Sequence, residues 1–344
     1  MSFSFLVNIS FLAMMSSLVC YLFRSVFIKN KFFDKPKLFK VHDYPVPKGY
    51  GIIFNFFLFV SFYIYYEDFL SINDELIPRF WFLFSGFIFF TLFSFVDDFY
   101  EINSRIKLYF QIAIIYLSIS TLPLNLHDVI NNSYFNFIIP FKIIEIILIF
   151  IWIFIINVTN FYDGVDRNLL INLIGINSGL LIISKFYEIS DSYYFISLIL
   201  LIFSLFGLLN YFKFNRFFLG DSGSIPLGYI LGWLLIISIY KGFLIEVFFL
   251  CFFIIVDVVS VLIFKIIKKE NIFVRHNDFL FHQLFLKLNK NIFKHNLLYF
   301  LSYFIVNLTL LSYLYESNFL YLLILFYFFY LFVIYLNIKR ISNK

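Results

Sequence analysis

The chain has 344 residues, of which 62% are hydrophobic and only 14% are charged, with a formal net charge of +5 at pH 7 and a mean hydropathy of +0.92. So few charged side chains cannot cover a chain of this size with a solvated surface, which excludes a soluble globular protein. The sequence therefore predicts an all-α polytopic integral membrane protein. Cys20 and Cys251 both lie in apolar segments without a CxxC pattern, which argues against a disulfide framework or a zinc site.

Eleven apolar segments are long enough to cross a bilayer, which takes about 17 to 25 residues of helix. The first lacks a basic start and a small-residue cleavage site, so we expect a retained helix and not a removed signal peptide. Residues 285–296 are predicted to be a basic amphipathic surface segment. The predicted transmembrane helices are 3–23, 50–66, 79–96, 106–122, 142–160, 168–185, 192–212, 223–240, 243–266, 297–315 and 318–337.

Basic residues indicate the orientation of these helices. All but four of the 26 Lys and Arg lie in the connections after the odd-numbered helices and in the C-terminal tail. By the positive-inside rule, the N-terminus lies outside and the C-terminus lies in the cytoplasm. The polar motifs described next then all fall on the cytoplasmic face.

Two amides and two carboxylates follow an apolar helix at a constant spacing of three in the stretch NVTNFYDGVDR. They are Asn157, Asn160, Asp163 and Asp166. If the helix continues through them, they form one stripe on its surface and can face a common point. Such a set suits a cation and a phosphate group. The alternative is a polar helix end in which Gly164 is a turn residue.

Three more carboxylates, Asp97, Asp98 and Asp221, lie at cytoplasmic ends of predicted helices. A carboxylate at the hydrocarbon boundary is costly without a partner, so several on one face require cations. Mg²⁺ is the natural one, because it takes oxygen ligands and is usually held by one or two carboxylates together with substrate phosphates. Mn²⁺ is the second candidate.

Donors for a phosphate group lie on the same face. The sequence GDSGS at 220–224 directly precedes a predicted helix, where free backbone N–H groups and the helix dipole favour an anion. The alternative is an ordinary helix cap formed by Ser222 or Ser224. Lys48 and Lys107 could neutralise phosphate charge, although a solvated surface residue is the simpler interpretation of either lysine alone.

In their order along the chain, these stretches resemble the polyprenyl-phosphate N-acetylhexosamine-1-phosphate transferase superfamily, of the glycosyltransferase family 4 type. The superfamily includes the enzymes that start enterobacterial common antigen and O-antigen chains, and phospho-MurNAc-pentapeptide transferase. The resemblance covers residues 30–290. The matching stretches are Asp34-Lys-Pro36 with His42, Pro45–Gly51, Val96–Asp98 with Lys107 and Gln111, Asn157–Asp166, Asn210, Phe218–Ser224, Asp257 and Arg275–Leu284.

The resemblance implies one transmembrane transferase domain over residues 1–344, in which the two helices after residue 291 carry no motif. Undecaprenyl phosphate would attack the β-phosphorus of a UDP-N-acetylhexosamine, giving the lipid diphosphate sugar and UMP. The reaction would start O-antigen, lipopolysaccharide, surface polysaccharide or cell-wall glycan synthesis at the cytoplasmic face of the bacterial inner membrane, without a nucleic-acid partner. Whether the chain acts as a monomer or a homodimer stays open.

The resemblance also assigns residues to roles. The catalytic residues would be Asp97, Asp98, Asp163, Asp166 and His276. Mg²⁺ would be held by Asp98, Asp163 and Asp166. Substrate would be bound by Lys48, Lys107, Asn157, Asn160, Asp221, Ser222 and His282.

Three stretches depart from the family pattern, the smallest change being Gly49-Tyr50-Gly51 in place of the usual Gly-Gly. Arg167 stands where a glycine is usual, and it could bind phosphate or pair with Asp166. In the late loop, Phe279 and Phe281 stand where His or Tyr is common. The consecutive histidines of the peptidoglycan enzyme are missing, so the loop is more similar to the surface-polysaccharide branch. For His276, a basic loop residue without a catalytic role is the alternative.

Two other functions remain as alternatives. A multi-helix transporter would place ionisable residues near the bilayer midplane, where the candidates are Glu145, Glu246 and Asp257. A family member that has lost activity through Arg167 and the changed loop could act as a scaffold. Neither alternative would release UMP.

Overall fold

The protein folds into a bundle of α-helices. The computed structural model describes residues 3–29, 33–34, 45–65, 80–100, 102–119, 122, 140–165, 167–189, 192–213, 218–270, 278–316 and 324. In these ranges it contains α1 (Phe3–Lys29), α2 (Gly51–Ile64), α3 (Phe80–Tyr100), α4 (Ser104–Ser118), α5 (Phe141–Tyr162), α6 (Asn168–Phe186), α7 (Ser192–Lys213), α8 (Asp221–Tyr240), α9 (Leu244–Ile267), α10 (Leu280–Lys287) and α11 (Ile292–Leu314).

Every helix except α10 coincides with a predicted transmembrane segment, with shifted boundaries. In the described part of the chain, seven helices are long and apolar enough to cross a membrane, namely α1, α3, α5, α6, α8, α9 and α11. The all-α membrane class is therefore confirmed. The last predicted segment, 318–337, lies outside the described residues apart from residue 324. The count of eleven spans and their orientation stay predictions.

The basic amphipathic surface segment predicted over 285–296 comprises the end of α10, a turn and the start of α11. Phe285 and His295 are only 4% and 0% exposed. The His295 ring approaches the carbonyl of Phe281 (Nε2–O 3.2 Å), which fastens α10 to α11. Asn291, Phe293 and Lys294 are exposed, so the segment has one buried face and one surface face. Its contact with a membrane surface stays a prediction.

A small antiparallel strand pair, β1 (Phe33–Asp34) and β2 (Val46–Pro47), adds to the all-helical prediction. The chain after β2 runs beside the segment that leads into α8. The N–H of Phe218 donates to the carbonyl of Pro47 (3.0 Å), and the N–H of Gly51 donates to that of Leu219 (2.9 Å). These bonds bring the connection between α1 and α2 to the start of α8.

Helix α8 lies at the centre of the bundle, and 94% of the residues in its 18-residue apolar stretch are buried. It packs most extensively against α5 and α3, and also against α2. Gly228 and Gly232 allow the close approach to α5, because a Cβ on them would lie 2.1 Å from Thr159 Oγ1 and 2.4 Å from Trp152 Cδ1. Small residues four apart are a common solution for close helix packing in membranes.

Gly228→Ala is expected to lower the free energy of unfolding by about 1–3 kcal/mol, because the overpacked interface between α5 and α8 must shift. The thermal midpoint in detergent should fall accordingly. The matched control is Gly207→Ala in α7, where a Cβ would meet the nearest side-chain atom, on Leu170, at 3.2 Å. Equal midpoints for the two variants would contradict the close packing of α8 on α5.

Candidate active site

The first turn of α8 is capped by two carboxylates from other helices. Asp98, near the end of α3, accepts hydrogen bonds from the backbone N–H groups of Asp221 (3.3 Å) and Ser222 (3.0 Å). Asp163, directly after α5, accepts one from the N–H of Gly220 (2.8 Å). N–H groups at a helix start have no partner within the helix and carry its positive partial charge. Two predicted catalytic carboxylates therefore meet at one helix end.

The sequence predicts that the N–H groups of GDSGS are free to bind a phosphate. In the structure, those of Gly220, Asp221 and Ser222 instead donate to the carboxylates of Asp163 and Asp98. The N–H groups of Gly223 and Ser224 donate to the carbonyl of Gly220, both at 3.0 Å. A cap formed by Ser222 or Ser224 is also wrong, because the acceptors at the helix start are Asp98, Asp163 and the carbonyl of Gly220. Ser222 is completely buried, and its contact with substrate stays a prediction.

Glycine is required at the residue before α8. Gly220 has φ +76°, in the left-handed region that L side chains rarely adopt. A Cβ at this position would also lie 2.8 Å from Asp98 Oδ2. The glycine thus lets the backbone turn toward both capping carboxylates.

Both predicted lysines contact the carboxylates. Lys107, in the first turn of α4, forms ion pairs with Asp97 and with Asp221, the second with an Nζ–Oδ2 distance of 2.9 Å. Lys48 Nζ lies 3.5 Å from Asp98 Oδ1. The lysine side chains are only 15% and 17% exposed, so solvent ions screen these pairs weakly. Residues from four separate segments are thereby brought together.

We call this group the acidic cluster; it consists of Asp97, Asp98, Asp163, Asp221, Lys48 and Lys107. Its four carboxylates, when ionised, exceed its two ammonium groups by two charges. Burial raises the pKa of Asp163 well above its ordinary value, although N–H groups of Gly220 and Leu219 act in the opposite direction. A further cation beside these groups would favour their ionised forms.

The donor chemistry of the acidic cluster fits Mg²⁺, which prefers carboxylate oxygens. Among the residues that the structure describes, no three His, Cys, Asp or Glu side chains are grouped as a metal site. Lys107 stands between Asp97 and Asp221, and backbone N–H groups engage Asp98 and Asp163. The third predicted ligand, Asp166, lies outside the described residues. Metal binding therefore stays a prediction.

The two predicted amides lie beside the acidic cluster on the last turns of α5. Asn157 Nδ2 donates to Gln111 Oε1 (3.0 Å) and to the carbonyl of Ile153 (2.9 Å). Asn160 Oδ1 accepts a hydrogen bond from Ser224 Oγ (2.9 Å). Both asparagines are half-buried, so part of each side chain remains accessible. They tie α5 to α4 and α8 next to the site where substrate is expected.

Helix α5 ends at Tyr162, so the predicted continuous stripe is wrong beyond Asp163. The N–H of Gly164 donates to the carbonyl of Phe161 (3.0 Å) in a turn, which was the alternative interpretation. Three residues further on, Arg167 has φ 71° and ψ −9°. This left-handed conformation favours glycine, which accounts for the glycine usual here in the family that the chain resembles.

Arg167→Gly is expected to leave the thermal midpoint unchanged or to raise it. Glycine removes a left-handed strain of about 1–2 kcal/mol, and its greater unfolded-state entropy offsets about 0.5–1 kcal/mol of that gain. Arg167→Ala is the matched control, because alanine keeps the strain. A glycine variant that melts below the alanine variant would contradict this account.

The late loop is described only in part. His276 lies outside the described residues, whereas His282 lies on α10 and is buried. A Cβ built on Gly164 would lie 3.0 Å from His282 Nε2, so the imidazole lies directly against this turn. The unusual Phe279 and Phe281 stack on the end of α5, with ring centroids 5.1 Å from Phe161 and 4.5 Å from Tyr162, respectively.

Asn55 contacts the first turn of α8, beside the site, and was not predicted from the sequence. Pro226 has no N–H, so the carbonyl of Ser222 lacks its usual donor within α8. Asn55 Nδ2 of α2 supplies that donor at 2.8 Å and is buried. The available signal was an amide in an otherwise apolar helix, together with a proline inside the next motif-bearing helix.

Residues 80–239 match the model of Glycosyl transferase family 4. The matched region contains all four carboxylates of the acidic cluster and Lys107, while Lys48 and His282 lie outside it. A search of the curated proteins found no match. The family comprises phospho-sugar transferases, so the match supports a sugar-phosphate transferase role in general, with a polyprenyl phosphate and a nucleotide sugar as substrates.

Proposed function

We propose that the protein transfers N-acetylhexosamine 1-phosphate from a UDP-sugar to undecaprenyl phosphate. An oxygen of the lipid phosphate forms a bond to the β-phosphorus of the UDP-sugar. The bond from the β-phosphorus to the oxygen of the α-phosphate breaks, and UMP leaves with that oxygen. The lipid diphosphate sugar then starts O-antigen, surface polysaccharide or cell-wall glycan synthesis, at the cytoplasmic face of a bacterial inner membrane.

The observation that carries this proposal is the acidic cluster, which lies mostly within the region that matches the transferase family. Phosphoryl transfer depends mainly on positioning and on neutralising negative charge. Lys48 and Lys107 supply two ammonium groups for phosphate oxygens. Asn157 and Asn160 supply amides at the border of the cluster for the nucleotide sugar.

The resemblance also implies Mg²⁺, which Asp98, Asp163 and Asp166 would hold, with Mn²⁺ as a substitute. Bound there, the cation would polarise phosphate oxygens and neutralise the charge of the diphosphate. Asp97 lies next to Asp98 in the same helix end and would receive the lipid phosphate through Lys107, its ion-pair partner. His276 and His282 would border the sugar nucleotide from the late loop.

UMP release tests the proposal directly. Purified protein is incubated with undecaprenyl phosphate, Mg²⁺ and a panel of UDP-N-acetylhexosamines. We expect UMP release with at least one sugar, and its loss on chelation and in Asp98→Asn. A folded protein that releases no UMP and binds no UDP-sugar would contradict the proposal and favour the scaffold alternative.

The transporter alternative has less support. Asp257 and Glu246, two of its three candidate residues, both accept hydrogen bonds within the protein, from Tyr162 Oη (2.9 Å) and Tyr187 Oη (3.3 Å). These contacts account for both carboxylates without a transported solute. Solute flux into proteoliposomes in the absence of UMP release would favour the transporter.

A further inference from the structure

Asp257 is a completely buried carboxylate of α9, and it is separate from the acidic cluster. A carboxylate in an apolar helix is costly unless other groups satisfy its oxygens. Both oxygens of Asp257 are satisfied, and by two different elements. Tyr162 Oη, at the end of α5, donates to Oδ2 at 2.9 Å. The N–H of Leu280, the first residue of α10, donates to Oδ1 at 2.6 Å.

The second of these bonds caps α10 from a distant helix. The N-cap residue of α10, Phe279, has no side-chain acceptor of its own. Asp257 therefore supplies the acceptor that a local Ser or Asp would otherwise provide, and its charge lies at the positive end of the helix dipole. The position of α10 in the bundle thus depends on a side chain of α9.

The first bond connects the same carboxylate to the candidate active site. Tyr162 directly precedes Asp163, which caps α8. Its ring also stacks on Phe281 of α10 at a centroid distance of 4.5 Å. In the first turn of α10, two residues after the capped N–H of Leu280, His282 lies against Gly164. Asp257 therefore joins the Asp163 turn to the helix that carries His282.

We propose that Asp257 is a positioning residue for the transfer reaction, which holds His282 against the Asp163–Gly164 turn by binding Tyr162 and the start of α10 together. Its role in the reaction rests on the proposed function, whereas its mechanical role does not. Hydrogen-bond partners that orient metal ligands typically change activity roughly 10- to 100-fold when they are mutated, and we expect an effect of similar size here. A small displacement of His282 is enough for such a loss.

Thiol cross-linking with a short bifunctional reagent measures the mechanical role without any substrate. The rings of Phe161 and Phe279 stack at a centroid distance of 5.1 Å between α5 and α10, so we expect the reagent to link cysteines placed at both positions. Phe93 and Phe110 stack at 3.8 Å between α3 and α4 and provide the control pair. In the Asp257→Ala background, we expect slower cross-linking of the first pair and an unchanged rate for the second.

Two further variants should give cross-linking rates between those of native protein and Asp257→Ala. Asp257→Asn keeps an acceptor for Leu280 and can donate to Tyr162, so it should largely restore the cross-linking rate. Tyr162→Phe keeps the stacked ring and removes only one bond to Asp257, so an intermediate rate is expected. In otherwise native protein, kcat for UMP release should fall roughly 10- to 100-fold in Asp257→Ala and recover partly in Asp257→Asn.

An unchanged cross-linking rate of Phe161→Cys with Phe279→Cys in Asp257→Ala would overturn the inference, whatever the activity. Slower cross-linking of both pairs would also overturn it, because Asp257 would then support the whole bundle. Slow cross-linking of the first pair alone together with full UMP release would remove Asp257 from the reaction. If native protein releases no UMP, the proposed function fails, and the cross-linking result still decides the mechanical role.

Discussion

Asp98→Ala is expected to abolish measurable UMP release and also to destabilise the protein. The carboxylate accepts two backbone N–H groups at the start of α8 and lies 3.5 Å from Lys48 Nζ. Loss of a hydrogen bond to a charged group costs about 1.5–3 kcal/mol, which should lower the thermal midpoint. Loss of one charged group at a phosphoryl-transfer site costs roughly 10²–10³ in kcat. UMP release and thermal unfolding in detergent measure the two effects.

Asp98→Asn separates these two effects. Asparagine keeps an oxygen that can accept one N–H at the start of α8, so stability should fall less than in Asp98→Ala, while activity should fall as far. Asp278→Ala is the matched control, because Asp278 pairs with Lys265 outside the acidic cluster and its side chain is 51% exposed. Exposed pairs contribute little to stability. Full activity of Asp98→Asn would show that Asp98 serves only as a helix cap.

Lys107→Met is expected to make the stability of the protein strongly dependent on Mg²⁺. In the native structure the ammonium of Lys107 lies between Asp97 and Asp221. Without it, no ammonium group lies between the carboxylates of Asp97 and Asp221. A divalent cation can then bind between them without competing with Lys107. Ligand at a hundredfold excess over Kd stabilises by about 2.7 kcal/mol. The shift of the thermal midpoint on Mg²⁺ addition should therefore be larger in the variant than in native protein.

The control for this experiment is Lys265→Met. Lys265 also forms two ion pairs, with Glu270 and Asp278 at 3.0 and 2.9 Å, but it lies outside the acidic cluster. Its Mg²⁺-induced shift should equal that of native protein. We also expect Lys107→Met to lose roughly 10²-fold in kcat, because a charge partner of the phosphates is missing. Equal Mg²⁺ shifts in native protein and Lys107→Met would show that no divalent cation replaces the Lys107 ammonium between Asp97 and Asp221.

The sequence predicts where the long helices lie and which carboxylates cluster, but it does not predict the hydrogen-bond partners of those carboxylates. Hydropathy finds the long helices because a membrane span needs many consecutive apolar residues. It misses α10, which has only eight residues and buries four of them. The positions of Asp97, Asp98, Asp163 and Asp221 at helix ends predict a common face, and the structure places these four side chains in one cluster.

The partners of these residues could not be predicted, because they depend on how distant segments pack. Nothing in the sequence near Asp98 shows that it accepts N–H groups from a helix that starts more than a hundred residues later. The contact of Asp257 with Tyr162 joins residues 95 positions apart. A carboxylate that suits a metal by composition also suits a helix N-terminus, and only the packed geometry distinguishes the two.

The start of α8 has a consequence for the order in which the protein is made. Its first turn takes its hydrogen-bond partners from Asn55, Asp98 and Asp163, and Pro226 prevents the helix from completing that turn alone. All three partners precede residue 220 in the chain, so the ribosome has synthesised them before α8 emerges. Because chains begin to fold from the N-terminus during synthesis, the central helix can enter a place already prepared by the helices around it.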